Sequence, residues 1–217
     1  MSEPVLTIDI VSDVVCPWCY IGKRKLEAAL ALPQAASLPR VEVRWHPFQL
    51  NPDMAPEGVS RKQYLEDKFG GPERAAEIYE RVRAAGRTAG LELNIDGITQ
   101  QPNTLAAHAL IAFGQQQGAV DAVKERLLKA YFVENRFIGS IDVLVAIAAE
   151  AGLDADAARA WLADPEQLRA VARADAQARG MGISGVPFFI FNQKLAVSGA
   201  QDPATLLDAM QQAVAAA

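Results

Sequence analysis

The chain has 217 residues, 51% of them hydrophobic and 22% charged, a balance that argues against disorder and leaves room for one large domain or a small domain carrying an insertion. Its 21 basic and 26 acidic residues give a formal charge of −5 without any basic block, which argues against a nucleic-acid or anionic-membrane partner. The longest apolar runs, such as VLVAIAA at 143–149, fall far short of the ~20 residues a membrane-spanning helix requires.

The opening Met1-Ser2-Glu3-Pro4 lacks the basic region of a signal peptide, and Asp9 and Asp13 interrupt the apolar stretch that follows. The expectation is a cytoplasmic protein. Residues 5–11 (VLTIDIV) read as a strand with Leu6, Ile8 and Ile10 on one face. A helix is expected after it, from Ile21, Leu26, Ala29 and Leu30 at helical spacing, stopped by Pro33. Residues 41–48 alternate Val41, Val43 and Trp45 with Glu42, Arg44 and His46, a second strand. Strand, helix and strand make a βαβ unit with a right-handed crossover.

Beyond a Pro/Gly loop at 51–59 the character changes. Helices are predicted at 60–69, 72–89, 103–117, 119–134, 141–151, 155–163 and 165–180, with Asn103 or Thr104 capping the third and Ser140 the fifth. ERAAEIYERVRAAGR and RAVARADAQARG read as solvated faces carrying ion pairs. Tyr64, Phe69, Tyr79, Tyr131, Phe132 and Phe137 read mostly as core. Strands at 186–191 and 194–198 meet at Asn192-Gln193, a hairpin signal, and Pro203 opens a last helix whose Ala-rich end is expected to fray.

The chain's two cysteines form one C-x-x-C, Cys16-Pro17-Trp18-Cys19, which excludes a disulfide framework and leaves redox activity or metal binding. Pro17 suits the first helical position, where a missing N–H costs nothing. Cys16 then faces the unpaired N–H groups and positive dipole end of the helix, so it is expected to ionise below the ~8.5 of a free thiol and act as an exposed nucleophile. Cys19, one turn on, would point inward and resolve a mixed disulfide. Two alternatives stand beside this. Cys16, Cys19, His46 and His108 make the count of a zinc site, without zinc-finger spacing; or both cysteines are merely core. Pro187, read alone, is an ordinary trans proline at a strand's start.

Taken together, DVVCPWCYIGKRKLEAAL, HPFQLNP, QPNTLAAHAL and GVPFFIFN followed by VSGAQ resemble the DsbA-type thioredoxin superfamily, above all its FrnE-like branch. The resemblance spans nearly the whole chain. It implies an α/β thioredoxin-like fold, with residues 1–50 and 184–217 forming the thioredoxin-like domain and 51–183 an inserted helical domain. It also implies that Cys16 is the nucleophile, Cys19 the resolving thiol and Pro187 a cis-proline facing them. Pro17, Trp18 and Val186 would then contact substrate, Val186 through its backbone. His108 matches an N-T-x₃-H pattern of the branch and would line the cleft.

The resemblance implies protein or peptide thiols and disulfides as substrates, with no metal or organic cofactor. Related 2-hydroxychromene-2-carboxylate isomerases and kappa-class glutathione transferases share the scaffold but typically carry serine where this chain has Cys16. Asn51 and the segment 198–202 (SGAQD) fall where that branch contacts glutathione, so glutathione is an expected exchange partner and a glutathione-dependent isomerase or transferase the alternative. A redox-linked chaperone or binding module is a third reading.

Overall fold

The computed structural model describes residues 4–216; the opening residues weighed above for a leader, and the last alanine of the fraying tail, lie outside them. Strand β1 (Val5–Ser12) leads into helix α1 (Pro17–Leu30), which returns the chain to β2 (Arg40–Pro47), parallel to β1. Helix α1 ends three residues before Pro33, which opens a short 3₁₀ turn. At the other end of the chain, β5 (Phe188–Phe191) and β6 (Leu195–Ser198) form an antiparallel hairpin, and α9 (Pro203–Ala215) follows. The sheet order is β2-β1-β5-β6, with β5 antiparallel to β1.

The hairpin turn follows the expected chemistry. Asn192 and Gln193 both take positive φ, at 49° and 57°, as a two-residue turn between right-twisted strands requires. The Asn192 side chain also accepts from the Thr7 N–H at 3.0 Å, tying the turn to β1. Strand β5 begins later than the sequence suggests. Pro187 has no N–H for the ladder, so pairing starts at Phe188. The Val186–Pro187 peptide is cis, against the reading of Pro187 taken alone and in line with the resemblance.

Between the two halves of the sheet lie helices α2 (Arg61–Phe69), α3 (Pro72–Thr88), α4 (Leu105–Gln116), α5 (Val120–Phe132), α6 (Ile141–Glu150), α7 (Ala155–Ala163) and α8 (Pro165–Gly180). Each predicted helix is present, most within two residues of the expected ends. A small ribbon of β3 (Val59–Ser60) with β4 (Gln100–Gln101) was not expected; two residues per strand leave no periodicity to read.

The caps differ in detail. Thr104 and Ser140 occupy N-cap positions without a side-chain bond, while Asn103 Oδ1 accepts from the Leu105 N–H at 2.9 Å. Ser60 and Asp154 make true side-chain caps, each to the third residue on. One stretch read as a solvated face is not one throughout. Asp175 on α8 is buried and accepts from the Gln49 N–H at 2.6 Å, while Arg179 bonds Asp175 and the Gln49 carbonyl and lies over the Phe48 ring. That lock fixes the chain just after β2.

Leu6, Ile8 and Ile10 share a packed cluster with Phe189 and Phe191 of β5, Ile21 and Leu26 of α1, and Leu206 and Met210 of α9. The same cluster continues into Leu110 of α4, Leu127 of α5, Leu144 of α6 and Val171 of α8. On the opposite sheet face Val11 packs with Phe48, Ala178 and Ile183. No helix among the described residues is long and apolar enough to cross a membrane.

Candidate active site

Cys16 is the N-cap of α1, with extended backbone at φ −92° and ψ 111° and no side-chain bond to the helix. Pro17 is the first helical residue, as expected, and the Cys19 N–H donates to the Cys16 carbonyl at 3.0 Å, so the C-x-x-C is the first turn of the helix. Both cysteines are free thiols. The Cys16 thiol donates to the Val186 carbonyl at 3.5 Å, which places the Val186–Pro187 peptide directly against it. The N–H of Val186 has no partner among the described residues. Trp18 stands 39% exposed beside the pair.

One expectation needs correcting. Cys16 is only 4% exposed, because the Val186 carbonyl and the start of α1 close around its sulfur. The pair is buried together, not apart: the two thiols hydrogen-bond each other. Burial, followed by that bond and by charge on Cys16, pushes the Cys19 thiol well above the ordinary cysteine range, while Lys124 and the Asp13 N–H pull weakly the other way. Cys19 is therefore held protonated, as a resolving thiol requires.

Glycine 22 explains how α1 approaches so closely. A Cβ at Gly22 would lie 2.9 Å from Pro187 Cγ and 3.3 Å from Phe189 Cζ, so only glycine lets the helix seat against the Val186–Pro187 segment.

Behind the cysteines is a charged interior. Asp13, fully buried, accepts from the Val14 N–H and the Leu50 N–H, both at 2.8 Å, and meets His108 Nε2 at 3.1 Å. Burial alone would raise its carboxyl. The His108 bond, the Leu50 N–H and the nearby Lys124 outweigh burial and hold it below 3.8. Lys124 on α5 is wholly buried, donates to Ser12 Oγ at 2.7 Å and lies 4.7 Å from the centre of the Trp45 ring. Burial brings its ammonium down from 10.5 to about 8, against the opposing pull of Cys19, Asp13 and Cys16.

His108 is thus a partner of Asp13. It faces a cavity of about 260 Å³ shared with Ser12, Trp45 and Lys124, whose lining includes neither cysteine. Asn51 stands in a turn closed by the Met54 N–H, and its side chain meets Lys68 on α2 at 3.5 Å. The zinc alternative fails on placement: His46 bonds Asp9 at 2.7 Å and His108 bonds Asp13, and no group of three metal-ligating side chains converges among the described residues.

A family model described as a DSBA-like thioredoxin domain matches residues 7–211. The chain belongs to the DSBA-like thioredoxin family. Among solved structures, a probable DsbA oxidoreductase from Streptomyces coelicolor is 31% identical, with a TM-score of 0.86 over 97% of this chain and 90% of that one. A cytosolic disulfide reductase, DsbM from Pseudomonas aeruginosa with GSH, is 22% identical with a TM-score of 0.63 over 96% of each chain. A 2-hydroxychromene-2-carboxylate isomerase is 14% identical with a TM-score of 0.69 over 95% of each. These last two likenesses show the fold alone. YwbO, an uncharacterized protein of Bacillus subtilis (strain 168), is 29% identical over 147 residues; the match takes in 68% of this chain and 66% of YwbO, just short of two thirds of its length.

In this DSBA-like thioredoxin, sequence reasoning missed Ser12, Asp13, Gly22 and Lys124. Signals for three of them exist. Asp13 and Ser12 are polar residues between a buried strand and the cysteines. Lys124 falls at helical spacing with Val120, Val123, Leu127, Leu128 and Tyr131, on the apolar stripe of its own helix.

Proposed function

We propose that the protein is a thiol–disulfide oxidoreductase exchanging disulfides with extended protein or peptide segments, with glutathione as a small exchange partner. The observation that carries this reading is the asymmetry of two adjacent free thiols. Cys16 sits at the positive end of a helix against the Val186 carbonyl, and Cys19 is held protonated one turn behind it.

The Cys16 thiolate attacks one sulfur of a substrate disulfide. That S–S bond breaks, one substrate sulfur leaves as thiolate, and a Cys16–substrate mixed disulfide forms. Cys19 then loses its proton, its sulfur attacks Cys16, and the Cys16–Cys19 disulfide closes as the second substrate thiolate departs. Two electrons pass from the dithiol to the substrate; the reverse sequence oxidises a substrate dithiol, and the redox poise of the compartment sets the direction. The reading takes that compartment to be the reducing cytoplasm. The open N–H of Val186 is suited to pairing with an extended chain, and Trp18 supplies apolar contact beside it.

The test is a glutathione redox titration of the pair, with turnover measured on a protein disulfide and on a small aromatic substrate. Cys19→Ala is expected to abolish protein-disulfide turnover and to accumulate the Cys16 mixed disulfide. Turnover of the aromatic substrate that survives Cys19→Ala would replace this reading with a glutathione-dependent isomerase or transferase.

A further inference from the structure

The two faces of β1 are covered differently. Leu6, Ile8 and Ile10 point into the packed core, and alternation along the strand turns Thr7, Asp9 and Val11 to the other side. In the ladder Asp9 stands beside Ile190 of β5, and Val11 beside His46 of β2. Helix α8 and its C-cap residue pass over that face with Ala174, Gln177, Ala178 and Met181, spaced as one helical stripe. Two of the four are alanines, whose methyl groups leave the space above the sheet unfilled. The result is a cavity of about 490 Å³, with Gln193 of the β5–β6 turn also in its lining. Small-molecule sites run to roughly 300–1,000 Å³. Neither cysteine lines this cavity, nor does Val186 or Pro187.

Asp9 is the exception in a largely apolar lining. It is 8% exposed, and among the described residues its carboxylate has one partner, His46 Nε2 at 2.7 Å from Oδ1. Oδ2 has none. A carboxylate has room for about four hydrogen bonds, and burying it short of them is costly. The cations nearby are committed elsewhere. Arg44, its register neighbour on β2, is held by Glu42. Lys194 donates to the Ala216 carbonyl, and Arg179 is bound to Asp175 and the Gln49 carbonyl. Among the described residues no lysine or arginine lines the cavity. Its other polar side chains are the amides of Gln177 and Gln193, each with a carbonyl oxygen that accepts. What the cavity lacks is a donor of hydrogen bonds that carries positive charge.

We infer that this cavity is a binding site for a small primary amine with an apolar body, such as an arylalkylammonium ion. The inference is independent of the dithiol reading. The ammonium group donates to Asp9 Oδ2 and turns its other N–H bonds to the amide oxygens of Gln177 and Gln193. The apolar body lies against Val11, Ala178, Met181 and Ile190 and leaves water. His46 occupies Oδ1 and so leaves Oδ2 as the charged acceptor. A carboxylate or phosphate is repelled by Asp9, and a hydroxyl of the same shape brings one donor and no charge. The formal charge of −5 favours the approach of a cation over that of an anion.

The experiment titrates the full chain with 2-phenylethylamine by calorimetry, and by NMR of the methionine methyl and glutamine side-chain amide signals. Saturable binding with a Kd below about 1 mM is expected, with shifts at Met181 and Gln193. 2-Phenylethanol, the same shape without the charge, should bind at least about tenfold more weakly, the size of a lost charge-assisted hydrogen bond. Asp9→Asn should lose the amine's advantage by the same factor while keeping the affinity for the alcohol. Ala174→Leu, which fills the cavity from α8 without touching the Asp9–His46 pair, should abolish binding of both. Cys16→Ser combined with Cys19→Ser should leave amine binding unchanged.

Equal affinity for amine and alcohol in the wild-type protein would overturn the proposal, as would wild-type affinity in Asp9→Asn. Loss of binding in the double serine variant would move the amine to the cysteine cleft and overturn it as well. A Gly-Lys-Gly peptide that binds more tightly than 2-phenylethylamine would make the occupant a partner's lysine and not a free amine. Should Asp9→Asn fail to fold, the comparison of amine with alcohol on the wild-type protein decides.

Discussion

The front and the rear of the cysteine pair are built from opposite materials. At the front, Pro17, Trp18, Val186 and Pro187 present apolar surface and backbone groups, with no ionisable side chain among them. At the rear, Asp13, His108 and Lys124 are charged or titratable and almost wholly excluded from water. A front that reads backbone tolerates many sequences in an extended partner, because every residue offers the same N–H and C=O. A rear that is charged and dry acts strongly on two sulfurs, because low dielectric magnifies each charge. Under the proposed function, breadth of substrate and control of the thiols fall to different residues, and each is expected to change without the other.

The comparison breaks first at Asp13. Asp13→Ala strands the Leu50 N–H and His108 in the interior and is expected to cost about 3 kcal/mol, read as a lower denaturant midpoint in chemical unfolding. In the intact protein the folded carboxyl titrates below 3.8. Its contribution is therefore complete above that value and lost as the pH falls through the lower, folded one.

Lys124→Met works in the opposite direction. Burying an ammonium disfavours the folded state, and the unfolded chain binds more protons between about 8 and 10.5, so stability gained from Lys124 deprotonation grows across that window. The methionine variant should accordingly be more stable than wild type by about 1–3 kcal/mol at neutral pH, with the gain vanishing toward pH 10.5, as thermal melts at several pH values would show.

Gly22→Ala tests the front at its seam. The added methyl meets Pro187, an overpacking cost of about 1–3 kcal/mol, partly offset by about 1 kcal/mol of helix propensity. A modest net destabilisation with slower protein-disulfide turnover is expected, and a more stable, fully active variant would show that the seating of α1 against Pro187 is loose. Trp18→Ala has the smallest expected effect on stability, under about 0.5 kcal/mol, since the side chain is already part exposed. Its mark should be a higher KM for peptide disulfides with kcat for small disulfides unmoved.

The same division explains what could be read from the sequence. The front is local: C-P-W-C lies in four consecutive residues, and a proline placed just before VPFFIF's pairing residues marks its partner. The helices were legible from period and punctuation, down to Asn192-Gln193 in the turn. The rear was not, because it assembles from residues 95 and more apart, as Asp13 with His108 and Ser12 with Lys124 are. A lysine at an apolar helical position signals burial, yet nothing in its own segment says which sulfur lies over it. Cys16 looked exposed for the same reason: the Val186 carbonyl that covers it arrives from 170 residues away.

The apolar cluster that runs unbroken from Ile8 through Leu127 to Val171 has a mechanical consequence. One apolar cluster joins the sheet to the helices behind it, so the two are expected to move and unfold together. Calorimetry should record a single endotherm, and a protease cut within the exposed 51–58 turn should leave both fragments clasped together and still folded.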